Sequence, residues 1–421
     1  MRATKESGFE WLGIVPENWV VSRIGSCAIE RRETVSDTDF QPLSVTKKGV
    51  VPRLESAAKS DNSEGRKLIR EGDFVINSRS DRKGSSGVSA MDGSCSVIYI
   101  VLKLLNLAPE YAHHLFRSKP FQEEFYKWGS GIVEDLWSTR YSAMKQIAVP
   151  VPPLAEQKAI ANFLDRETAK IDKLIAKQEQ LITTLDERKQ AVIREAVTRG
   201  IFGSAQTKES GIPWVGPVCV TWQIAPLKYH AFTGAGSGFP IEEQGLVDEP
   251  VPFIKVNSLG RSGSDGLIKN FDDTISIETA KRLGARIFSP KSIVLAKIGA
   301  ALLLGRIRQL PVESCIDNNM MAVTARSGTS PRFLFYILNL IEFERIVNPG
   351  AVPSTSEGAV KNLKFPFPAL AEQTAIANYL DDELKKLDFF AQKSREVIHL
   401  LRERRQALIS AAVTGKLEVG V

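Results

Sequence analysis

The sequence predicts an α+β protein with two globular regions separated by two long helices, which pair antiparallel as a coiled coil in an internal pseudo-two-fold repeat. The sequence Leu-Ala-Glu-Gln at 154–157 returns at 370–373, and the match continues at the same offset for about forty-five residues. Roughly half of the paired positions are identical, which is far above chance. Two copies are too few for a solenoid, so the repeat indicates one chain built like a symmetric dimer.

The repeated segments, 154–198 and 370–414, have the composition of long helices. The first contains no Gly or Pro, begins just after Pro152 and Pro153, and ends just before Gly200. Its apolar residues recur in alternating steps of four and three, which is the heptad pattern of a coiled coil. The predicted seam consists of Ile160, Leu164, Ile171, Leu174, Leu181, Leu185 and Val192 in the first helix, and of Ile376, Leu380, Leu387, Phe390, Val397, Leu401 and Leu408 in the second.

Polar residues interrupt both predicted seams at matching positions. They are Glu167, Gln178 and Arg188 in the first helix, and Glu383, Ser394 and Arg404 in the second. An antiparallel pairing centred near residue 176 brings Glu167 close to Arg404 and Arg188 close to Glu383. Such ion pairs would disfavour parallel or slipped pairings. The alternative is that each of these side chains reaches solvent or a partner.

The remaining residues, 1–150 and 200–368, predict two α+β domains of ordinary size. Short buried strands are predicted at 72–77, 97–102, 253–256 and 292–296, and helices at 109–128 and 331–347. These regions match each other poorly, whereas the long helices match closely.

Four tryptophans recur in register, because Trp11 and Trp19 return as Trp214 and Trp222. Their paired spacing favours a role in anchoring the core over stacking on nucleic-acid bases.

Composition narrows the class of protein. The net charge of +6 and the pI near 9.0 suit a polyanionic partner, although many proteins without one are as basic. The four cysteines are isolated and only four histidines occur, so neither structural zinc nor a disulfide framework is expected. A signal peptide is missing, and the longest apolar runs, such as 300–304, are too short to span a bilayer. We therefore expect a cytoplasmic protein without membrane contact.

Two segments resemble catalytic motifs only in part. The glycine-rich segment 234–238 lacks the Lys-Ser/Thr of a phosphate-binding loop, so it is predicted to be a flexible loop. Residues 348–351, Asn-Pro-Gly-Ala, share only the first two residues of an amino-methyltransferase motif and are interpreted as a turn. Neither a catalytic triad, a metal cluster nor a nuclease constellation is evident, so an enzyme is not expected.

The chain resembles the specificity subunit of Type I restriction–modification systems. The resemblance rests on the helix starts at 152–157 and 367–373, each behind a variable region, and on the openings at 16–19 and 220–222. It implies target recognition domains at 1–150 and 200–368, and spacer helices at 151–199 and 369–421. Each domain would recognise one half of a split site in double-stranded DNA.

The same resemblance implies partners and their cofactors. Two modification subunits would carry S-adenosylmethionine and adenine methyltransferase activity, and restriction subunits, a motor joined to a nuclease, would use ATP and Mg. No cofactor is expected in this chain. The spacer-helix residues expected at the subunit interface are Leu154, Glu156, Gln157, Leu370, Glu372 and Gln373.

Candidate DNA contacts come from basic and amide side chains that follow predicted strands. Arg can bind guanine and Asn can bind adenine, whereas Lys suits phosphate, and the competing interpretation is a solvated loop. The candidates are Arg79, Arg82, Lys83 and Arg140 in the first region, and Lys255, Asn257, Lys297 and Arg306 in the second.

A second function remains open on sequence grounds. A coiled-coil scaffold with two protein-binding globular ends would also combine similar helices with divergent globular regions. Binding to duplex DNA that weakens steeply with salt distinguishes DNA recognition from this alternative.

Overall fold

The computed structural model describes residues 2–53, 65–131, 137–201, 206–261, 265–348, 350 and 352–420. The chain forms two compact units. The first unit comprises Met1–Glu179 and Glu396–Val421, and the second comprises Gln180–Arg395. Each long helix is therefore divided between the units, whereas the sequence-based domain boundaries kept the helices as separate segments.

The first unit is built around a four-stranded antiparallel sheet in the order β10-β9-β12-β4, beside a three-stranded sheet in the order β11-β8-β5. Helices α2 and α3 supply apolar side chains to the main core, which also takes in residues 409–413 near the end of the chain. Its elements are β1 (Thr4–Glu6), β2 (Ile14–Pro16), β3 (Val20–Arg23), α1 (Ile24–Cys27), β4 (Ala28–Glu30), β5 (Thr34–Val35), β6 (Leu43–Thr46), β7 (Gly49–Pro52), β8 (Arg66–Ile69), β9 (Phe74–Asn77), β10 (Ser86–Val88), β11 (Gly93–Cys95), β12 (Tyr99–Leu104), α2 (Pro109–Arg117), α3 (Lys119–Lys127), α4 (Tyr141–Met144), β13 (Ala148–Val151) and the start of α5 (Leu154–Arg199).

The second unit has a similar four-stranded antiparallel sheet in the order β17-β23-β20-β21. A parallel pair, β18 with β22, accompanies it. Its elements are β14 (Thr207–Glu209), β15 (Pro217–Cys219), β16 (Gln223–Pro226), β17 (Ala231–Ala235), β18 (Val251–Ile254), β19 (Thr274–Ile275), α6 (Ile277–Arg282), β20 (Ile293–Ala296), α7 (Ala300–Leu303), β21 (Ile307–Gln309), β22 (Cys315–Ile316), β23 (Met320–Ala325), α8 (Pro331–Leu338), α9 (Glu357–Asn362), β24 (Lys364–Phe367) and the start of α10 (Leu370–Val413).

The two predicted spacer helices are confirmed almost to the residue, as α5 and α10. The shorter predicted helices were too long. The segment 109–128 breaks at Ser118, which ends α2 and caps α3 by accepting a hydrogen bond from the Phe121 N–H. Helix α8 ends at Leu338 instead of continuing to 347.

The glycine-rich segment 234–238 is not simply a flexible loop, because β17 extends to Ala235. Gly236 then packs so closely that a Cβ there would lie 2.0 Å from the Asp317 carbonyl oxygen. Close packing of the backbone therefore accounts for this glycine.

A heptad seam has two core positions in every seven residues. The prediction was right at one of them and wrong by one residue at the other. Leu164, Ile171 and Val192, which share one seam position, are buried as predicted, and so is Ile160 at the start of the other. Further along α5, however, Leu174 and Leu181 are 48% and 43% exposed, and the partly buried positions are Ile175 and Ile182. Helix α10 shows the same shift: Ala391, Ser394 and Ile398 are buried, whereas Phe390 and Val397 are exposed.

The predicted cross-helix ion pairs were wrong for the same reason. Glu167 pairs within its own helix with Lys170 and Arg166, and Glu383 pairs with Lys386. The ion pairs that join α5 to α10 involve other residues. They are Asp172 with Arg405 at 2.9 Å and Glu179 with Arg402 at 3.1 Å in the first unit, and Lys189 with Asp388 in the second.

Two of these ion pairs are copies of each other in the repeat. Asp172 corresponds to Asp388, and Arg405 corresponds to Lys189. The acid lies on α5 in one pair and on α10 in the other, as antiparallel pairing of two repeated helices requires. The paired positions place the centre near residue 180 rather than 176.

The recurring tryptophans anchor the cores, as predicted. Trp19 and Trp222 are each 1% exposed. Trp11 and Trp214 are partly buried and pack edge-on against Phe121 and Phe365. The four cysteines are buried as free thiols. Across the described ranges, the helices lack the combination of length and apolar character needed to cross a membrane.

Candidate nucleic-acid interface

In each copy of the repeat, the glutamine of the Leu-Ala-Glu-Gln sequence connects the start of the long helix to a short helix of the globular region. The Ala108 N–H, at the start of α2, donates to Gln157 Oε1 at 2.7 Å. The Ser330 N–H, at the start of α8, donates to Gln373 Oε1 at 2.9 Å. Both glutamines are 1% exposed. Each therefore satisfies a backbone donor at a helix N-terminus that would otherwise be buried without a partner.

The preceding glutamate has a similar internal role. Glu156 accepts hydrogen bonds from Arg2 at 2.7 Å and from Asn18 at 3.4 Å. Burial opposes its charged form, but the hydrogen bond from Arg2 lowers the pKa of Glu156 below its ordinary value. In the second copy the Trp222 indole N–H donates to Glu372 at 3.2 Å.

These contacts give four of the predicted interface residues a role inside the chain, and their assignment to a subunit interface stays a prediction. The side chains of Glu156, Gln157, Glu372 and Gln373 make contacts inside their own units. Leu154 and Leu370 are exposed at 58% and 47%, and they remain candidates for contact with a partner.

In the first unit, two loops that are distant in sequence lie side by side beyond the end of β9. The Ser80 N–H donates to the Trp137 carbonyl at 2.8 Å, and the Thr139 N–H donates to the Ser78 carbonyl at 2.9 Å. Ser138 is also bridged to Ser130. We call residues 78–83 with 137–140 the first loop pair.

Three of the predicted first-domain contacts lie on residues 79–83 and the fourth lies on the adjoining loop. Arg79, Arg82, Lys83 and Arg140 are all exposed. Arg82 has only a loose contact with Asp81, at 3.6 Å, and both side chains are open to solvent. Because the described carboxylate beside them is exposed and its contact is long, the guanidinium groups keep most of their hydrogen-bonding capacity.

The second unit repeats this arrangement beyond the end of β20. The Thr355 N–H donates to the Lys297 carbonyl at 2.8 Å, and the Gly299 N–H donates to the Pro353 carbonyl at 2.7 Å. Ser354 is bridged to Asn348, as Ser138 is to Ser130. We call residues 297–304 with 352–356 the second loop pair. Residues 349 and 351 of the predicted turn lie outside the described residues.

The predicted second-domain residues fall in three environments. Lys255 is partly exposed, forms an ion pair with the buried Asp273 at 2.7 Å and also donates to Gln244, and its assignment as a DNA contact stays a prediction. Asn257 is exposed, and the guanidinium of Arg306 lies against Gly260 in the same turn. Lys297 is half-buried at the base of the second loop pair.

The side chains presented by the two loop pairs differ in chemistry. In the place of Arg79 the second loop pair carries Ile298, which is 37% exposed, and Leu304 of the same segment is 60% exposed. Val352, on the adjoining loop, is 57% exposed. Sequence reasoning missed this apolar surface. The signal that could have located it is the dipeptide Ser-Thr, which recurs at 138–139 and 354–355 with the offset of the helical repeat.

Neither loop pair is accompanied by a described metal site. Within the part of the chain that the structure describes, His, Cys, Asp and Glu side chains form no group of three or more that could hold a metal ion.

A partly buried histidine on α2, His113, gives the first unit a predicted pH response. Burial lowers the pKa of His113 to about 4, with Arg117, His114 and Arg405 adding repulsion and Asp165 opposing it. A folded-state pKa below the unfolded value of 6.5 stabilises the fold above pH 6.5, and this contribution is lost as pH falls towards 4. We expect the melting temperature of the wild type to fall more between pH 7 and pH 4.5 than that of His113→Gln. Parallel profiles for the two proteins would contradict this prediction.

Comparison with known proteins identifies the class. Residues 16–184 and 239–399 match the family model for the Type I restriction modification DNA specificity domain. The two matches cover most of both globular regions and part of each long helix. The chain belongs to this family and is a DNA sequence-recognition subunit.

The chain is similar to specificity subunits of known type I restriction enzymes. The specificity subunit of the type I restriction enzyme MjaX of Methanocaldococcus jannaschii is 24% identical over 448 residues, which span 99% of this chain and 98% of the relative. The EcoKI specificity subunit of Escherichia coli is 27% identical over 213 residues, which span 47% of this chain and 43% of that subunit.

Solved structures share the fold. A chain from a study of complex assembly and conformational transition of the type I R-M system superposes with a TM-score of 0.73 and 17% identity, over 96% of this chain and 99% of that one. The HsdS subunit of Thermoanaerobacter tengcongensis gives a TM-score of 0.51 at 17% identity, over 96% of this chain and 98% of that one.

Proposed function

We propose that this chain recognises a bipartite DNA site, one half with each loop pair, and is itself non-catalytic. The observation that carries this proposal is the repetition of one backbone arrangement with different exposed side chains. A common frame with two different recognition surfaces is what two unlike half-sites require.

The first loop pair suits a half-site that contains guanine. Arg79, Arg82 and Arg140 can each place a planar pair of donors against O6 and N7 of guanine, or can bind a phosphate. Its backbone bridges hold the loops in place, so less conformational entropy is lost on binding.

The second loop pair suits a different half-site. Ile298, Leu304 and Val352 can contact the 5-methyl group of thymine, which is the apolar feature of the major groove. Asn257 and Arg306 add hydrogen-bonding groups for adenine or guanine in a neighbouring turn.

Partner subunits supply the chemistry in this proposal. Two modification subunits would bring S-adenosylmethionine and adenine methyltransferase activity, and restriction subunits would bring ATP- and Mg-dependent cleavage. The long helices offer exposed apolar side chains for docking: Leu174, Val397 and Leu400 in the first unit, and Leu181, Phe389 and Phe390 in the second. The alternative of a protein-binding scaffold is not favoured, because both halves match a DNA specificity domain.

Salt dependence tests the central part of the proposal. Binding of a duplex that contains the methylated site, measured with the modification subunits present, should weaken linearly in log affinity against log salt. Specific duplex should also bind about a thousandfold or more tightly than random duplex. Equal binding of both duplexes at every salt concentration would reject sequence recognition by this chain.

Individual arginines of the first loop pair should set sequence preference. Replacing Arg79 or Arg82 by Ala should cost about 1–3 kcal/mol and relax the preference at one base pair if the side chain contacts a base. A uniform loss across sequences would instead indicate a phosphate contact. Lys103→Ala is the matched control. Lys103 is also exposed, but it lies near the end of β12 that is farther from the first loop pair. Unchanged affinity and specificity in Arg79→Ala/Arg82→Ala/Arg140→Ala would reject the assignment.

The absence of catalysis is tested on the purified chain. We expect no methyltransferase, nuclease or ATPase activity from it, because the sequence shows no complete motif for these reactions and the described residues form no group of His, Cys, Asp and Glu that could hold a metal ion. Activity that persists after every partner subunit has been removed would contradict the proposal.

A further inference from the structure

A pocket of about 450 Å³ in the first unit lies between α2, the turn at 83–84 and the last turns of α10. Its lining is strongly basic, and none of the described residues that line it carries a carboxylate. The lining residues that carry or can accept a positive charge are Lys47, Lys83, His113, His114, Arg117 and Arg405.

Arg117 lies at the centre of this basic cluster and has neutral partners. Its guanidinium donates to His113 Nε2 at 2.6 Å and to the Lys47 carbonyl oxygen. Burial and the neighbouring Arg405 both lower the pKa of Arg117, so its charge is held at an electrostatic cost. A negatively charged ligand in the pocket would remove this cost.

Two carboxylates on α5 pair with lining residues of the pocket. Asp165 accepts from His114 at 2.7 Å, and Asp172 pairs with Arg405 at 2.9 Å. The side chains of both aspartates are more than half exposed. They offset part of the positive charge and leave Arg117, Lys47 and Lys83 in excess.

The corresponding region of the second unit is not basic. Helix α8 corresponds to α2, since Ser330 and Ala108 make the same contact with Gln373 and Gln157. In that alignment Phe335 replaces His113 and Asn339 replaces Arg117. The basic pocket is thus a feature of the first unit and not of the shared frame.

We propose that the basic pocket of the first unit is a phosphate-binding site. Arg117 can supply guanidinium N–H donors, Lys47 and Lys83 can neutralise further charge, and Arg405 adds positive charge beside its ion pair with Asp172. Lys83 also belongs to the first loop pair, so the phosphate can come from the DNA backbone or from a small phosphorylated molecule. This site is additional to the base contacts of the proposed function.

Calorimetry with pyrophosphate on the full-length chain tests the proposal. We expect saturable binding by the wild type and at least tenfold weaker binding by Arg117→Asn, which installs the residue of the second copy. Lys47→Glu should show the same loss of binding. Because Lys47 is exposed, we expect this variant to fold, so it tests the site even if Arg117→Asn misfolds. Lys103→Ala should bind as the wild type does. Failure of the wild type to bind pyrophosphate, or equal binding by both pocket variants, would overturn the proposal.

Duplex binding by the same variants distinguishes the sources of the phosphate. If pyrophosphate competes with duplex and Lys47→Glu weakens both, the ligand is a backbone phosphate. If pyrophosphate binds and duplex affinity is unchanged in Lys47→Glu, the ligand is a small phosphorylated molecule. Either result supports a phosphate site. Sequence-specific duplex binding that persists while pyrophosphate fails to bind would reject the site and leave the proposed function intact.

Discussion

Replacing residues 1–150 with the corresponding region of a relative should change one half of the recognised DNA sequence and leave the other half unchanged. The physical reason is that each loop pair is held by hydrogen bonds inside its own unit, and each unit has its own apolar cores. The exchanged region must still offer a backbone N–H at the start of α2 that donates to Gln157. It must also pack on residues 409–413 of α10. A donor that preserves both contacts should therefore fold on the retained helices.

Methylation mapping of the chimaeric complex measures this result, and the reciprocal exchange of 200–368 is the matched experiment. The two chimaeras should alter opposite halves of the site. An exchange that altered both halves, or neither, would show that recognition is not divided between the two units.

Trp222→Ala should destabilise the protein by about 3–5 kcal/mol, the usual cost of truncating a large buried aromatic side chain. Trp222 is 1% exposed, belongs to the main core of the second unit and donates its indole N–H to Glu372. Its removal would leave a cavity and take a hydrogen-bond donor from a partly buried carboxylate. Urea denaturation monitored by circular dichroism should show the loss as a lower transition midpoint for the second unit.

Trp128→Ala is the control for that measurement. Trp128 is 43% exposed at the end of α3, so its truncation should cost less than about 1 kcal/mol. Similar losses for the two variants would mean that Trp222 does not anchor the core as its burial indicates.

The long helices could be predicted from sequence because their signal is local. An uninterrupted run of helix-forming residues between Pro153 and Gly200 fixes the ends of α5. The residues of the helix–helix seam were harder to predict. Two heptad patterns both place Leu164, Ile171, Gln178 and Leu185 at one core position, and they differ by one residue at the other core position. Sequence pattern favoured Leu174 over Ile175, and only the packed partner helix decides between them. The ion-pair predictions failed once that position was misassigned.

The candidate interface was predictable only where a loop directly follows a strand. Arg79, Arg82 and Lys297 were chosen as candidates in this way, and their contact with DNA stays a prediction. The contact between residues 78–80 and 137–139 joins distant segments, so local patterns do not reveal it. The ion pair of Lys255 with Asp273 could not be predicted either, because Asp273 is supplied by a different part of the unit.

The central claim is that this chain makes a Type I system recognise a bipartite DNA sequence. Methylome sequencing of cells that express it together with modification subunits tests this claim most directly. Bipartite recognition by this chain predicts methylated adenines in a single motif that has two specified parts separated by an unspecified spacer. It also predicts no such methylation when this chain is omitted. A motif without a spacer, or the same methylation in the absence of this chain, would contradict it.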